Sequence, residues 1–285
     1  MTAVPLVTRF APSPTGRLHR GHAFSALTAR EAARQAGGRF LLRIEDIDAV
    51  RCRSEFEVAL LADLAWLGVS WEEPAWRQST RLDVYAEALG RLRGLGVLYR
   101  CFRTRRETMD GIASAPHEPP SPIAPGPVTT GEEAAMLAEG RPFAWRLSLA
   151  AAECLLGGWR GLTFLEDGAG PRGEHGVIAV RPTLVGDVVL ARKDLGVSYH
   201  LAATVDDAAQ GVSHVIRGCD LFPAAHAQRI LQALLRLPTP TYRHHPLLLR
   251  PDGRRFAKRD TAETLADLRA RGVTAEALRG ELGFG

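Results

Sequence analysis

The chain has 285 residues, room for one large domain or two ordinary ones, and its 46% hydrophobic and 24% charged residues exclude a disordered or fibrous protein. Its 36 Lys and Arg against 32 Asp and Glu leave a net charge of +4, compatible with a polyanionic partner without requiring one. No apolar run approaches the roughly eighteen residues of a membrane span, no secretory leader opens the chain, and Cys52, Cys101, Cys154 and Cys219 lack C-x-x-C spacing. A cytoplasmic chain with reduced thiols and no membrane partner is the expectation.

In chain order, "VPLVTRF" (4–10) is apolar and β-branched enough for a strand, and "APSPTG" (11–16) is a proline and glycine turn. The stretch "AFSALTAREAARQA" (23–36) is rich in helix formers and stops at Gly37-Gly38. "RFLLRI" (39–44) reads as a second strand running into the acidic turn "EDIDAVR". In "SEFEVALLADLAWLG" (54–68), Ser54 and Glu57 have capping-box spacing, Val58, Leu61, Leu64 and Leu67 share a face, and Gly68 ends the helix. A further helix over 79–96 and a strand "VLYRCF" (97–102) complete a β-α-β-α-α-β order, which predicts an α/β fold with a doubly wound parallel sheet.

Residues 110–131 are rich in proline and read as a loop or linker. From 141 to 221 the runs "FAWRLSL", "VIAVRP", "VGDVVLAR", "SYHLAATV" and "HVIRG" read as β-rich, and "PAAHAQRILQALLRL" (223–237) as a helix. The tail from 261 is helical with glycine breaks.

The chemistry gathers first at "RLHRGH" (17–22). Histidines three apart at a helix start share a face beside free backbone N–H groups and the positive end of the helix dipole, a place suited to phosphate. Gly21 in that first turn costs about 1 kcal/mol relative to alanine, which makes sense where something must approach the backbone closely. Taken alone, the tetrapeptide His19 to His22 reads equally well as a turn with surface histidines.

Four stretches in order change that balance. "RFAPSPTGRLHRGH" resembles the first signature of class I aminoacyl-tRNA synthetases in the form used by the glutamyl group, and "RIEDID" is similar to the stretch after that group's first helix. "VSYHLAATVDDAAQGVSHVIRGCDL" resembles its later substrate-binding segment, and "GRRFAKRD" falls where the second signature, the lysine loop, is expected.

The resemblance implies a Rossmann-type catalytic domain with an inserted acceptor-type subdomain. On this reading 1–100 is the first half, 101–190 the insertion, 191–240 the second half, and 241–285 the lysine-loop segment with a short helical tail. Only a short tail follows Asp260, so no anticodon-binding domain is expected, and the architecture resembles the truncated branch that attaches glutamate to queuosine in tRNA(Asp). A compact synthetase charging a tRNA 3′ end, and a noncatalytic regulator binding glutamate or tRNA, are the alternatives.

The resemblance also implies roles. His19 and His22 contact the ATP phosphates, Gly21 admits the adenine, and Lys258 holds phosphate charge as pyrophosphate leaves. Mg²⁺ is expected with the ATP, and no protein ligand is assigned to it. L-Glutamate carries two carboxylates and an ammonium, so its pocket needs two cations and one anion, matched by Arg9, Arg217 and Glu45. Arg9, Phe10, Ala11, Pro12 and Ser13 line that pocket and Tyr199 closes it. Which arginine takes the side-chain carboxylate stays open, and Asp206 and Asp207 receive no role.

Two departures stand out. Ala257 replaces the small hydroxyl residue that usually precedes the lysine, and "YRCFRTR" keeps Cys101 but has Arg103 where many relatives place a second zinc-binding cysteine. Cys101 and His117 are too few for a structural zinc, so zinc is expected to be absent. A monomer is expected.

Overall fold

The structure is a computed structural model that describes residues 5–103, 126–192, 196–248 and 263–285. Strand β1 (Val7–Phe10) leads through the proline turn into helix α1 (Arg20–Gln35), and β2 (Arg39–Ile44) returns parallel to β1 in the register Val7 to Arg39. The two prolines fit because their carbonyls alone are used: Pro12 accepts from Glu45 N–H (3.0 Å) and Pro14 from Arg53 N–H (3.0 Å). Helix α2 (Ser54–Trp66) then crosses to the short parallel strand β3 (Trp76–Arg77). Helix α3 (Leu82–Gly94) completes this half.

Helix α2 departs from the expected pattern in two ways. Arg53, not Ser54, is its N-cap, and no side-chain cap forms because a guanidinium has no acceptor for the helix N–H groups; Glu57 instead accepts from Arg77 (2.9 Å). Its buried stripe is Leu60 and Leu64, continued by Leu67, whereas Val58 is exposed.

The second half holds β10 (His214–Gly218), helix α7 (Phe222–Leu235) and β11 (Thr241–His245), with β10 and β11 parallel. Strand β6 (Thr163–Glu166) continues that sheet parallel to β11, and β7 (Gly176–Ala179) closes it antiparallel. Ser213 ties β10 to β1 by donating its N–H to Val7 O (2.9 Å). The parallel strands therefore order as β3-β2-β1, then β10-β11-β6, and the direction of winding reverses between β1 and β10. Ligands bind such sheets at the carboxyl ends of the strands flanking that reversal.

The strand expected at 97–102 is β4 (Leu98–Cys101), but it joins a separate antiparallel sheet with β5 (Ala144–Leu147), β8 (Val189–Arg192) and β9 (Gly196–Val197). Its alternation of buried Tyr99 and Cys101 with half-buried Leu98 and Arg100 suits a sheet with one open face. Helices α4 (Thr130–Ala138) and α5 (Leu149–Leu156) accompany this sheet, the first overlapping the end of the expected linker.

"SYHLAATV", expected as β-rich, forms helix α6 (Tyr199–Ala209). Every residue from Leu201 to Asp207 is buried, Thr204, Asp206 and Asp207 included, and a segment buried on every side shows neither period that separates strand from helix. The tail forms α8 (Leu265–Ala270) and α9 (Ala275–Glu281), whose Leu265, Leu268 and Leu278 join the core beneath α1, β2 and α2. No helix among the described residues is long and apolar enough to cross a membrane.

Candidate active site

An open cleft of about 670 Å³ lies at the carboxyl ends of β1 and β10, where the winding reverses. The strand ends and the start of α1 bring to it Arg9, Phe10, Ala11, Pro12, Ser13, His19, Gly21, His22, Glu45, Tyr199 and Arg217. Lys258, with the rest of the basic stretch around it, lies outside the described residues, as does His117.

His19 is the N-cap of α1, and the two histidines cap the helix reciprocally. Gly21 N–H donates to His19 Nδ1 (3.1 Å) and His19 N–H donates to His22 Nδ1 (3.2 Å), with the rings 3.8 Å apart. Because both Nδ1 atoms accept, the neutral rings carry their hydrogen on Nε2. A Cβ on Gly21 would meet His19 Cε1 at 3.0 Å, so this glycine makes room for the capping ring.

Behind the cleft lies a buried charge network. Arg9 donates from Nε to Asp207 Oδ1 (2.9 Å) and from Nη2 to Oδ2 (3.4 Å). Arg43, fully enclosed, donates to Asp207 Oδ1 (2.8 Å), Gln210 Oε1 (2.9 Å) and Glu45 Oε1 (3.1 Å). Asp206 accepts from Gln78 (3.0 Å), Arg81 (2.8 Å) and the Tyr85 hydroxyl (2.7 Å).

Burial alone would raise the Asp207 carboxyl, but Arg9 and Arg43 hold it at about 2. Burial also pushes the Glu45 carboxyl above its ordinary range, against the pull of Arg43 and Arg9. Arg43 stays charged because Asp207, Glu45 and Asp206 outweigh its loss of hydration.

Arg217 differs from these arginines. It is 5% exposed, and its bonded partners are all uncharged acceptors: His244 Nε2 (3.1 Å), Gln228 Oε1 (2.9 Å) and the Tyr199 hydroxyl (3.2 Å). Its buried Nη2 has no hydrogen-bond partner among the described residues. A cation so placed, with a donor uncommitted beside a cleft, is matched by an anionic ligand.

Sequence reasoning passed over Arg43, Asp207, Gln228 and His244. Arg43 did carry a signal, being the charge inside the otherwise apolar "FLLRI". Asp206 and Asp207 follow directly on the run that reads as β-rich and belong to helix α6, so the sequence does not show their inward aim. Cys101 is a buried free thiol, and no group of three or more His, Cys, Asp or Glu among the described residues is arranged to hold a metal ion.

Residues 5–125 and 174–283 match the family described as tRNA synthetases class I (E and Q), catalytic domain. The chain belongs to that family. It is accordingly a ligase of the ATP-using class I synthetase type. It is 46% identical to the glutamyl-Q tRNA(Asp) synthetase of Rhodobacter capsulatus over 98% of this chain and 100% of that one. To the protein of the same name in Symbiobacterium thermophilum it is 42% identical, over 98% of this chain and 86% of the other. A glutamate–tRNA ligase from Elizabethkingia meningosepticum, solved in complex with its amino acid, superposes with a TM-score of 0.70 at 26% identity. That match covers 90% of this chain and 52% of the solved one, so this chain spans about half the length of that ligase.

Proposed function

We propose that the chain activates L-glutamate with ATP as glutamyl-adenylate and transfers the glutamyl group to queuosine in the anticodon loop of tRNA(Asp). The observation that carries the glutamate reading is Arg217, buried without a carboxylate partner of its own and with Nη2 uncommitted. An incoming side-chain carboxylate supplies the missing counter-charge. Glutamine leaves that cation uncompensated, and a site built for a charged partner rejects a ligand lacking it strongly. The near-full-length relatives bearing the glutamyl-Q name support the queuosine half of the reading.

In the first step an oxygen of the glutamate α-carboxylate attacks the ATP α-phosphorus and pyrophosphate leaves. In the second a hydroxyl of queuosine's cyclopentene-diol ring attacks the acyl carbon and AMP leaves. The protein's task is to position the reactants and stabilise spreading phosphate charge. His19 and His22 donate to the phosphates from Nε2, Gly21 keeps the helix start open, and Lys258 adds a cation. Glu45 meets the substrate ammonium, while Arg9, with Phe10 to Ser13, forms the wall nearest the α-carboxylate, and Tyr199 covers the bound side chain. Mg²⁺ enters as the ion that ATP carries. A cytoplasmic monomer is the form we expect to act.

Amino-acid-dependent pyrophosphate release tests the activation half. Glutamate supports it, and glutamine and aspartate do not. Arg217→Ala raises the glutamate KM about 100-fold while shifting the ATP KM by no more than about twofold. Equal turnover with glutamine, or an Arg217→Ala enzyme unchanged in glutamate KM, removes the assignment.

A further inference from the structure

Arg217 is held from behind by two buried residues that lie outside all four signature stretches. His244 Nε2 stands 3.1 Å from Arg217 Nε, and a guanidinium offers only donors, so Nε2 must present a lone pair. The ring hydrogen then sits on Nδ1, 2.5 Å from Glu166 Oε2. Glu166 is itself fixed, because its other oxygen accepts the backbone N–H groups of His244 (2.8 Å) and Gly168 (2.9 Å). Neither side chain has any exposed surface.

The ring is clamped as well. It stacks with Tyr242 at an interplanar angle of 2° and meets Phe222 edge-on at 5.3 Å. Gly168 lets the backbone after β6 press against β11, since a Cβ there would lie 2.3 Å from His244 O. A carboxylate, an imidazole and a guanidinium are thus aligned across three neighbouring strands, and the far end of the line opens into the cleft.

We propose that Glu166 and His244 are positioning residues for glutamate recognition: Glu166 holds His244 in its Nδ1–H form, and the Nε2 lone pair fixes Arg217 so that Nη2 faces the substrate carboxylate. This rests on the reading that Arg217 meets glutamate. It also makes recognition sensitive to acid, because a proton on Nε2 removes the acceptor and sets a second cation against Arg217.

The charged groups around His244 define the pH response. Glu166 faces it from β6, Arg217 from β10, His226 from α7, and Tyr242 and His245 flank it on its own strand. Burial, then Arg217 and His245, press the His244 imidazole below its ordinary range against the pull of Glu166. His226 is held at about 4 and Tyr242 is pushed up to about 12. His245 also lines the cleft and is lowered by burial, so the test must separate the two neighbours.

Calorimetric titration of L-glutamate, and separately of ATP, between about pH 5 and 8 provides it. Wild-type protein loses glutamate affinity toward acid and keeps its ATP affinity. Glu166→Gln turns an amide N–H toward Nδ1, drives the ring hydrogen to Nε2 and sets donor against donor. Its glutamate Kd rises about tenfold or more at neutral pH, with ATP unchanged. His244→Gln carries one donor and one acceptor at similar positions and cannot titrate. It binds glutamate within about threefold of wild type and loses less affinity toward acid than wild type does, the remainder belonging to Glu45, whose carboxyl burial raises.

Glutamate affinity untouched in Glu166→Gln, or an acid loss in His244→Gln as large as the wild type's, overturns the proposal. Nitrogen-15 shifts of the His244 ring in wild-type protein give a readout independent of any variant's folding: Nδ1–H is expected and Nε2–H overturns the pair alone. Wild-type protein that binds ATP but no glutamate overturns the substrate reading, and the positioning role with it.

Discussion

Asp207 shows how much of this site depends on residues that do not themselves line the cleft. It receives two guanidinium groups in a space closed to water, those of Arg9 and Arg43, at 2.9 and 2.8 Å. Removing one partner from a buried ion pair costs far more than the pair contributes, because the remaining charges stay desolvated. Asp207→Asn keeps the shape and removes the charge, leaving Arg9 and Arg43 short of a counter-ion. We expect it to lower unfolding free energy by about 3 kcal/mol in urea titrations and to weaken glutamate binding through Arg9. Unchanged stability would show that Glu45 and Asp206 suffice for Arg43. The cleft-lining residues were legible because signature stretches carry them, whereas Asp207, Gln228 and His244 contact other side chains and lie where only the folded chain brings them together.

At the scale of elements, the start of α1 carries the heaviest demands. A helix N-terminus needs acceptors for its free N–H groups, and here two histidine Nδ1 atoms supply them while their Nε2 atoms keep the hydrogen. Gly21→Ala gains helix propensity of about 1 kcal/mol but puts a Cβ against the His19 ring, disturbing a cap of similar worth. The melting temperature should therefore move by no more than about 3 °C while adenylate formation falls at least about tenfold. Full activity in that variant would mean that the capping geometry is irrelevant to phosphate contact. The first and second strands were readable as short apolar runs bounded by turn residues, and the helix between them as a run of helix formers stopped at Gly37-Gly38. Helix α6 was not, since burial on every side erases the period, and the placement of β4 was not, since sequence pattern does not encode which sheet a strand joins.

At the scale of the molecule, the cleft lies where two halves meet through β1 and β10, and the C-terminal helices pack into the core of the first half. Buried titratable groups make that assembly sensitive to acid. His226 has no exposed surface, accepts Arg181 N–H at Nδ1 (3.0 Å), and burial followed by Arg181 holds it at about 4. An unfolded chain takes that proton near pH 6.5, so the stability tied to His226 is complete above about 6.5 and falls as pH drops toward 4. Asp207, held at about 2, adds stability that is intact above about pH 4 and is lost as pH falls toward 2. Urea midpoints should thus be level above neutrality, decline between about pH 6.5 and 4, and decline further below that. A midpoint independent of pH from 7 to 4 would contradict the neutral, enclosed His226. Transfer is the remaining step, and one measurement addresses it directly. Labelled glutamate and ATP are supplied with two tRNA(Asp) samples alike except that one carries queuosine and the other guanosine, both with blocked 3′ ends. The account predicts label in the queuosine sample alone; label that requires a free 3′ end and ignores queuosine would contradict it and make the chain a compact synthetase.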